Sequence, residues 1–379
     1  MKAWQLHRPA AATGEPLGLA EVPEPEPGPG EIRLRVRACG VCLTDVHTVE
    51  GDLIPPAYPV VPGHQVVGIV DAVGPGVEGV RPGERRGAFW LHRACGRCPA
   101  CRRGDENLCP DAAFTGLHVP GGYAEAMVVP AAYTVPIPAA FSDAEAAPLL
   151  CAGIIGYRAL RLSGLQPGER LALFGFGSSA HLVIQVARHQ GCEVVVYTRS
   201  EGHRRLAREL GARWAGGAEV LAADDPVAHP GRGGHREGMV AQGTGRGTGD
   251  ARTSGSGVNQ GGDGAGTGAP PLCDRAIIFA PAGELVPLAL RAVRPGGTVV
   301  INAVHMSDIP SFPYRLLHGE RTVRSVAHVT RRDAEEFLRL AARIPIRVKT
   351  RLYAFEDANQ ALRDVKRSAV DGAAVLVVS

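Results

Sequence analysis

Cys95, Cys98, Cys101 and Cys109 form a C-x2-C-x2-C-x7-C run in a polar loop rich in Arg and Gly. Thiolates at that spacing converge tetrahedrally on one zinc ion, and a closed all-sulfur shell is what a structural site requires. Free thiols packed in a loop are the bland alternative, but packing does not account for four of them in so short a polar stretch. A nucleic-acid-binding zinc ribbon uses two CxxC pairs set farther apart, and no basic-aromatic face accompanies this run. A second donor group is scattered: Cys42, His64 after Gly63, and Cys151. Each is weak evidence alone, since a lone histidine is more often a hydrogen-bonded core residue. Together, two thiolates and one imidazole leave a fourth zinc position open for water or substrate, as a catalytic metal needs. Cys39 also makes a CxxC with Cys42, the spacing of a redox pair, but no βαβ pattern surrounds it.

A third motif is Gly175-x-Gly177-x-x-Ala180, which follows the apolar Leu171–Phe174 and opens a helical stretch running through Arg188. In that context the glycines permit a tight turn and close approach of a dinucleotide pyrophosphate, which rests on the helix N-terminus. The end of the next strand carries Tyr197-Thr198-Arg199-Ser200, with Arg204 one turn into the following helix. An NAD enzyme usually has Asp or Glu there for the ribose 2′-hydroxyl. A guanidinium with hydroxyls suits a 2′-phosphate instead, so NADP(H) is favoured. Glu201 keeps NAD(H) open, and Arg199 as a solvated surface charge is the alternative.

These groups need two kinds of scaffold. Glu31–Arg37 alternates polar and apolar residues, the mark of a half-buried strand, and Val66–Gly74 and Ala124–Val129 continue a β-rich pattern punctuated by Gly and Pro. From Cys151 onward, buried strands at 171–174, 193–197, 276–279 and 298–301 alternate with helix-like stretches at 203–210 and 284–293. That alternation implies an α/β unit with a doubly wound parallel sheet. Residues 231–270 hold 15 of the 49 glycines and almost no large apolar residue, which reads as a disordered insertion. A functional lid would carry more apolar anchors. Asp333–Leu340, Arg351–Tyr353 and Ala373–Val378 suggest helix, strand, helix and strand returning to the first domain.

At 379 residues the chain has room for two cores, and a net charge of +3 with 21% charged residues selects for neither nucleic acid nor a membrane surface. The N-terminal residues lack a signal-peptide apolar core, and no apolar run reaches the ~18 residues of a membrane span. Nine cysteines, clustered at metal-type spacings, fit a reducing cytoplasmic setting.

Read in order, Cys39-Gly40-Val41-Cys42-Leu43-Thr44-Asp45-Val46-His47, Val61-Pro62-Gly63-His64, the four-cysteine loop, Leu150-Cys151-Ala152-Gly153 and the glycine turn resemble the medium-chain, zinc-dependent alcohol dehydrogenases. The likeness spans nearly the whole chain apart from the Gly-rich insertion. A Cys2His set with one open position is itself typified by alcohol dehydrogenase. The resemblance implies a β-rich GroES-like catalytic domain at 1–151 and 329–379 and a Rossmann cofactor domain at 152–328. It implies two zinc ions per subunit, with Cys42, His64 and Cys151 on the catalytic one. It also implies that Thr44 hydrogen-bonds the substrate oxygen, that His47 ends a proton relay, and that Asp45 orients His64. A homodimer or homotetramer is implied as well. One departure is Gln65, where the family usually has Glu behind the metal; without that charge, exchange of water for substrate is put in question.

The expected reaction is hydride transfer between a primary or secondary alcohol, or its aldehyde or ketone, and the nicotinamide. A short-to-medium primary alcohol is an analogy only. Trp90 is either a wall of the substrate pocket or an ordinary buried indole. Val304 and His305 follow the last central strand near the expected nicotinamide, with a structural role for His305 weighed above substrate contact. A catalytically silent NADP-binding sensor is the rival reading, opposed by retention of all three open-site ligands with Thr44 and His47. A zinc-free quinone reductase is opposed by the seven placed ligands.

Overall fold

The computed structural model describes residues 1–223 and 270–378. The stretch 231–270 read above as an insertion therefore lies, Pro270 apart, outside the described residues.

The long strand Glu31–Val41 buries alternate side chains, Ile32, Leu34 and Val36, as its period of two requires. It centres a seven-stranded sheet. Its order is Thr350–Ala354, Ala373–Val377, Glu31–Val41, Gln65–Val73, Arg85–Ala88 and Thr134–Pro136, with Ala126–Pro130 also paired to Glu31–Val41. The returning C-terminal strand lies antiparallel on the central one, pairing Ala374 with Val41 and Leu376 with Cys39. Its Ala374 and Leu376 side chains join those of Trp4, Leu6, Val46 and Val66 in one core.

The second sheet has six strands, all parallel: Trp214–Gly216, Glu193–Tyr197, Arg170–Phe174, Cys273–Ile278, Val293–Ile301 and Thr322–Ser325. Counted along the chain this order is 3-2-1-4-5-6, the doubly wound Rossmann arrangement. Leu171 and Val194 are fully buried in one core and Ala172 and Val195 in another, as expected when helices cover both faces of a parallel sheet. Strand order reverses between Arg170–Phe174 and Cys273–Ile278. Ligands in such sheets bind in the crevice beyond the strand ends at that switch. The strands Trp214–Gly216 and Thr322–Ser325 were not anticipated, because each is short and largely without an apolar run. No helix among the described residues is long and apolar enough to cross a membrane.

Candidate active site

Cys42 sits where strand Glu31–Val41 ends, as the N-cap of helix Leu43–Glu50. That helix turns Thr44 and Asp45 inward and leaves His47 half-buried in its last turn. His64 precedes strand Gln65–Val73 and follows Gly63, whose φ is 96°. A Cβ on Gly63 would stand 2.4 Å from a ring carbon of Tyr123, so only glycine lets the chain pass here. Cys151 lies in a π-helical turn, Leu149–Gly153, whose other residues are buried. Such wide turns recur at functional sites.

Three separate elements thus bring the Cys42 and Cys151 sulfurs and a His64 ring nitrogen within 4.8 Å of one another. The Cys42 Sγ to His64 Nε2 distance is 3.5 Å. Tetrahedral bonding to zinc, with usual Zn–S and Zn–N lengths, calls for about 3.5 Å between such atoms, so the set fits that ion. His64 Nδ1 faces Asp45 Oδ1 at 3.2 Å, and the Cys42 backbone N–H donates to Asp45 Oδ2 at 2.9 Å. The Cys42 thiol is pulled well below its ordinary value, first by a hydrogen bond from Cys151 and then by His64, against the opposing effect of burial. Burial would depress His64, yet Asp45 and the Cys42 thiolate raise it to about 10. The pocket therefore stabilises a positive charge among anionic sulfur, which is the role a dication fills.

Cys39 does not join this set. It is buried in the strand, and desolvation raises its thiol well above normal, which leaves it a core residue rather than half of a redox pair. The Gln65 side chain packs against Gly40, and its buried Nε2 has no partner among the described residues.

The four-cysteine lobe also closes. All four sulfurs lie within 4.8 Å of one another, with Cys95 and Cys101 sulfurs 4.0 Å apart. An S–S edge of about 3.8 Å is expected around zinc. Backbone N–H groups of Cys98 and Cys101 donate to the preceding cysteine sulfurs at 3.3 and 3.4 Å. N–H groups of Arg97 and Cys98 lower the Cys95 thiol to about 6.

Around the open set, the Trp90 ring meets His64 edge-on with centroids 5.0 Å apart and stacks on Phe114 at 5.0 Å. His47 Nδ1 pairs with Asp52 Oδ2 at 2.8 Å, and its ring lies 5.5 Å from that of His305. Asp52 escaped the sequence reading; an acid just past the helix-ending Gly51 was the available signal. His305 has a partner after all, in His47, whereas Val304 is exposed.

At the switch point Gly175 has φ 88°, and a Cβ there would lie 3.0 Å from the Ala280 nitrogen. A Cβ on Gly177 would enter open space, the room a pyrophosphate needs, before helix Ala180–His189 begins. Thr198 is buried, while Arg199 and Ser200 are exposed beyond strand Glu193–Tyr197. Ser200 Oγ accepts from the His203 N–H at 3.3 Å and so caps helix Glu201–Glu209. Arg204 is already engaged: its Nε donates to the Thr198 carbonyl at 2.9 Å, and it pairs with Glu201 at 3.4 Å. Arg208 pairs with the same Glu201 at 3.4 Å.

Residues 28–139 match the alcohol dehydrogenase GroES-like domain. Over 100% of this chain and 97% of the relative, the sequence is 42% identical to the protein of Mycobacterium tuberculosis (strain CDC 1551 / Oshkosh) named "Probable alcohol dehydrogenase AdhA". The chain belongs to the medium-chain, zinc-dependent alcohol dehydrogenases. An alcohol dehydrogenase of Geobacillus stearothermophilus is 33% identical over 90% of this chain and 89% of its own length. A solved NAD-dependent alcohol dehydrogenase superposes with a TM-score of 0.80 at 25% identity, covering 100% of both chains. A Sinorhizobium meliloti 1021 structure bound to NADP matches with a TM-score of 0.76 at 27% identity, over 100% of this chain and 99% of that one. Like its family, this alcohol dehydrogenase is an oxidoreductase that moves hydride between an alcohol or its carbonyl product and a nicotinamide cofactor.

Proposed function

We propose that this alcohol dehydrogenase holds a catalytic zinc on Cys42, His64 and Cys151, holds a structural zinc on Cys95, Cys98, Cys101 and Cys109, and prefers NADP(H). The observation that carries the reading is the convergence of the three donor atoms within 4.8 Å, beside an Asp45 carboxylate that touches two of the three residues. Bound there, zinc supplies a lowered alcohol pKa and a polarised carbonyl, and the nicotinamide supplies or accepts hydride. The chain's residues do the rest. Asp45 holds the His64 ring in its ligating orientation. The Thr44 hydroxyl would accept the substrate proton at its Oγ1 while giving up its own, and His47 would take the released proton outward. Asp52, on His47 Nδ1, fixes the tautomer and keeps Nε2 as the accepting nitrogen. The aromatic faces of Trp90 and Phe114 exclude water from the substrate side.

Gly175, Gly177 and Ala180 receive the pyrophosphate, and Thr198, Arg199, Ser200 and Arg204 surround the adenosine ribose. NADP(H) is supported by an exposed Arg199 that makes no hydrogen bond or ion pair among the described residues. Glu201, the carboxylate one residue past Ser200, is paired with Arg204 and Arg208. Arg204 shapes that corner through Thr198 rather than offering a free charge.

The catalytic domain comprises 1–151 and 329–379 and the cofactor domain 152–328, in keeping with a six-stranded parallel sheet whose strands all lie within 170–325. All nine cysteines are free, which suits a cytoplasmic enzyme. The assembly is a homodimer or homotetramer, and the substrate is a small alcohol or aldehyde. Elemental analysis of purified enzyme, with absorbance at the reduced-nicotinamide band for an alcohol panel and each cofactor, tests the reading. Two zinc ions per chain and faster turnover with NADP are expected; one zinc ion in fully active enzyme refutes it.

A further inference from the structure

The Trp90 indole is 7% exposed, and its Nε1–H donates to His328 Nδ1 at 2.9 Å across 238 residues of chain. His328 also lies against Phe114, with ring centroids 4.3 Å apart, so Trp90, Phe114 and His328 form one stack whose indole end abuts His64. The His328 backbone has φ 54°, the left-handed region that few residues other than glycine adopt and that His and Asn enter more readily than most. Strained backbone of this kind persists where its surroundings over-determine it. Those surroundings are visible. The Ala327 carbonyl accepts from Asn107 Nδ2 at 2.7 Å, and Arg331 donates from its backbone N and its Nε to Glu106 at 2.7 and 2.9 Å. Asn107 and Glu106 belong to the four-cysteine lobe. The segment returning from the parallel sheet is therefore braced on that lobe while it presents His328 to the indole. Burial pushes the His328 imidazole down to about 4, so near neutral pH it is uncharged and its Nδ1 keeps a lone pair for the indole proton.

We propose that His328 is a positioning residue for the substrate pocket: by accepting the Trp90 indole N–H it pins the ring against His64 and sets the room beside the zinc ligands. The proposal rests on the alcohol-oxidising reading of that site. A buried indole N–H left without an acceptor is costly, so loss of His328 lets the ring leave its place. Because the pocket wall and not the proton path moves, the effect falls on KM for bulky substrates more than on kcat.

The test compares His328→Ala, His328→Asn, Trp90→Phe and the His328→Ala/Trp90→Phe pair in the full-length, zinc-loaded enzyme. Benzyl alcohol and ethanol serve as probes. His328→Ala should change the ratio of the two KM values about fivefold or more, the loss of one buried hydrogen bond. His328→Asn should restore most of it, since its Oδ1 stands near the Nδ1 position and Asn tolerates the same backbone. In Trp90→Phe, which has no indole N–H, adding His328→Ala should change the ratio no further. Hydrogen exchange of the Trp90 indole N–H, assigned by its absence in Trp90→Phe, should quicken in His328→Ala. Should that variant fold poorly, Trp90→Phe breaks the same bond from the other end. A KM ratio within twofold of wild type with unaltered exchange overturns the proposal, as does an equal His328→Ala effect in the Trp90→Phe background. A wild-type enzyme that turns over no alcohol strikes the reading of the site instead, and indole exchange then decides the His328 contact by itself.

Discussion

The Asp45 carboxylate grips Cys42 and His64 at once: Oδ1 lies 3.2 Å from His64 Nδ1 and Oδ2 accepts the Cys42 backbone N–H at 2.9 Å. Burial raises the Asp45 carboxyl, and His64 opposes that rise. Asp45→Asn keeps the shape but removes the charge. Zinc affinity at the open site should fall about 10–100-fold, as for other carboxylates that support a ligating histidine. Competition with a chelator measures it; equal metal retention by mutant and wild type would show Asp45 to be packing only.

Cys42→Ser should abolish turnover while the cofactor still binds, because the glycine turn lies in the other sheet's crevice. Metal content should drop from two ions to one per chain. Wild-type rates in this variant would remove the metal from the mechanism.

Arg199→Asp places a carboxylate where a 2′-hydroxyl would be read and removes a guanidinium that is exposed beyond the strand end. The ratio of kcat/KM values for NADP and NAD should swing towards NAD by about tenfold or more, the weight of one charge-assisted contact. An unchanged ratio would mean the phosphate assignment is wrong.

Acid should destabilise the fold in a definite window. His92, His181 and His328 are each pushed to about 4 by burial. Unfolded, they titrate near ~6.5, so between these values the unfolded chain binds more protons and stability rises with pH. Their contribution is complete above about pH 6.5 and is lost as pH falls towards 4. Thermal midpoints across this range, for wild type and His181→Leu, should diverge, the variant showing the shallower slope. Subtracting one curve from the other cancels the acid release of zinc common to both; parallel curves would contradict the buried-neutral state of His181.

Local pattern carried much of this architecture. The strand–glycine–helix unit at 171–188 and the four-cysteine loop are contiguous, so their geometry is written within a few turns of chain. The alternation of strands and helices likewise foretold the parallel sheet, although Trp214–Gly216 and Thr322–Ser325 were too short to register. The partners of side chains were another matter. Arg204 is a cofactor-binding candidate by its place in the chain, and only the fold shows its Nε on the Thr198 carbonyl. Asp52 follows the helix-ending Gly51, but residue type and spacing there do not tell that its carboxylate turns back onto His47 Nδ1.

The amino-acid sequence by itself determined the donor chemistry, the cofactor turn and the alternation of elements, since each depends on residue type and spacing over short stretches. Tertiary structure alone decided that Cys42, His64 and Cys151 meet, that the Trp90 ring abuts His64, and that His328 reaches Trp90 from 238 residues away. Such meetings are set by how two sheets and their helices bury apolar surface against one another, a cooperative outcome that no local periodicity encodes.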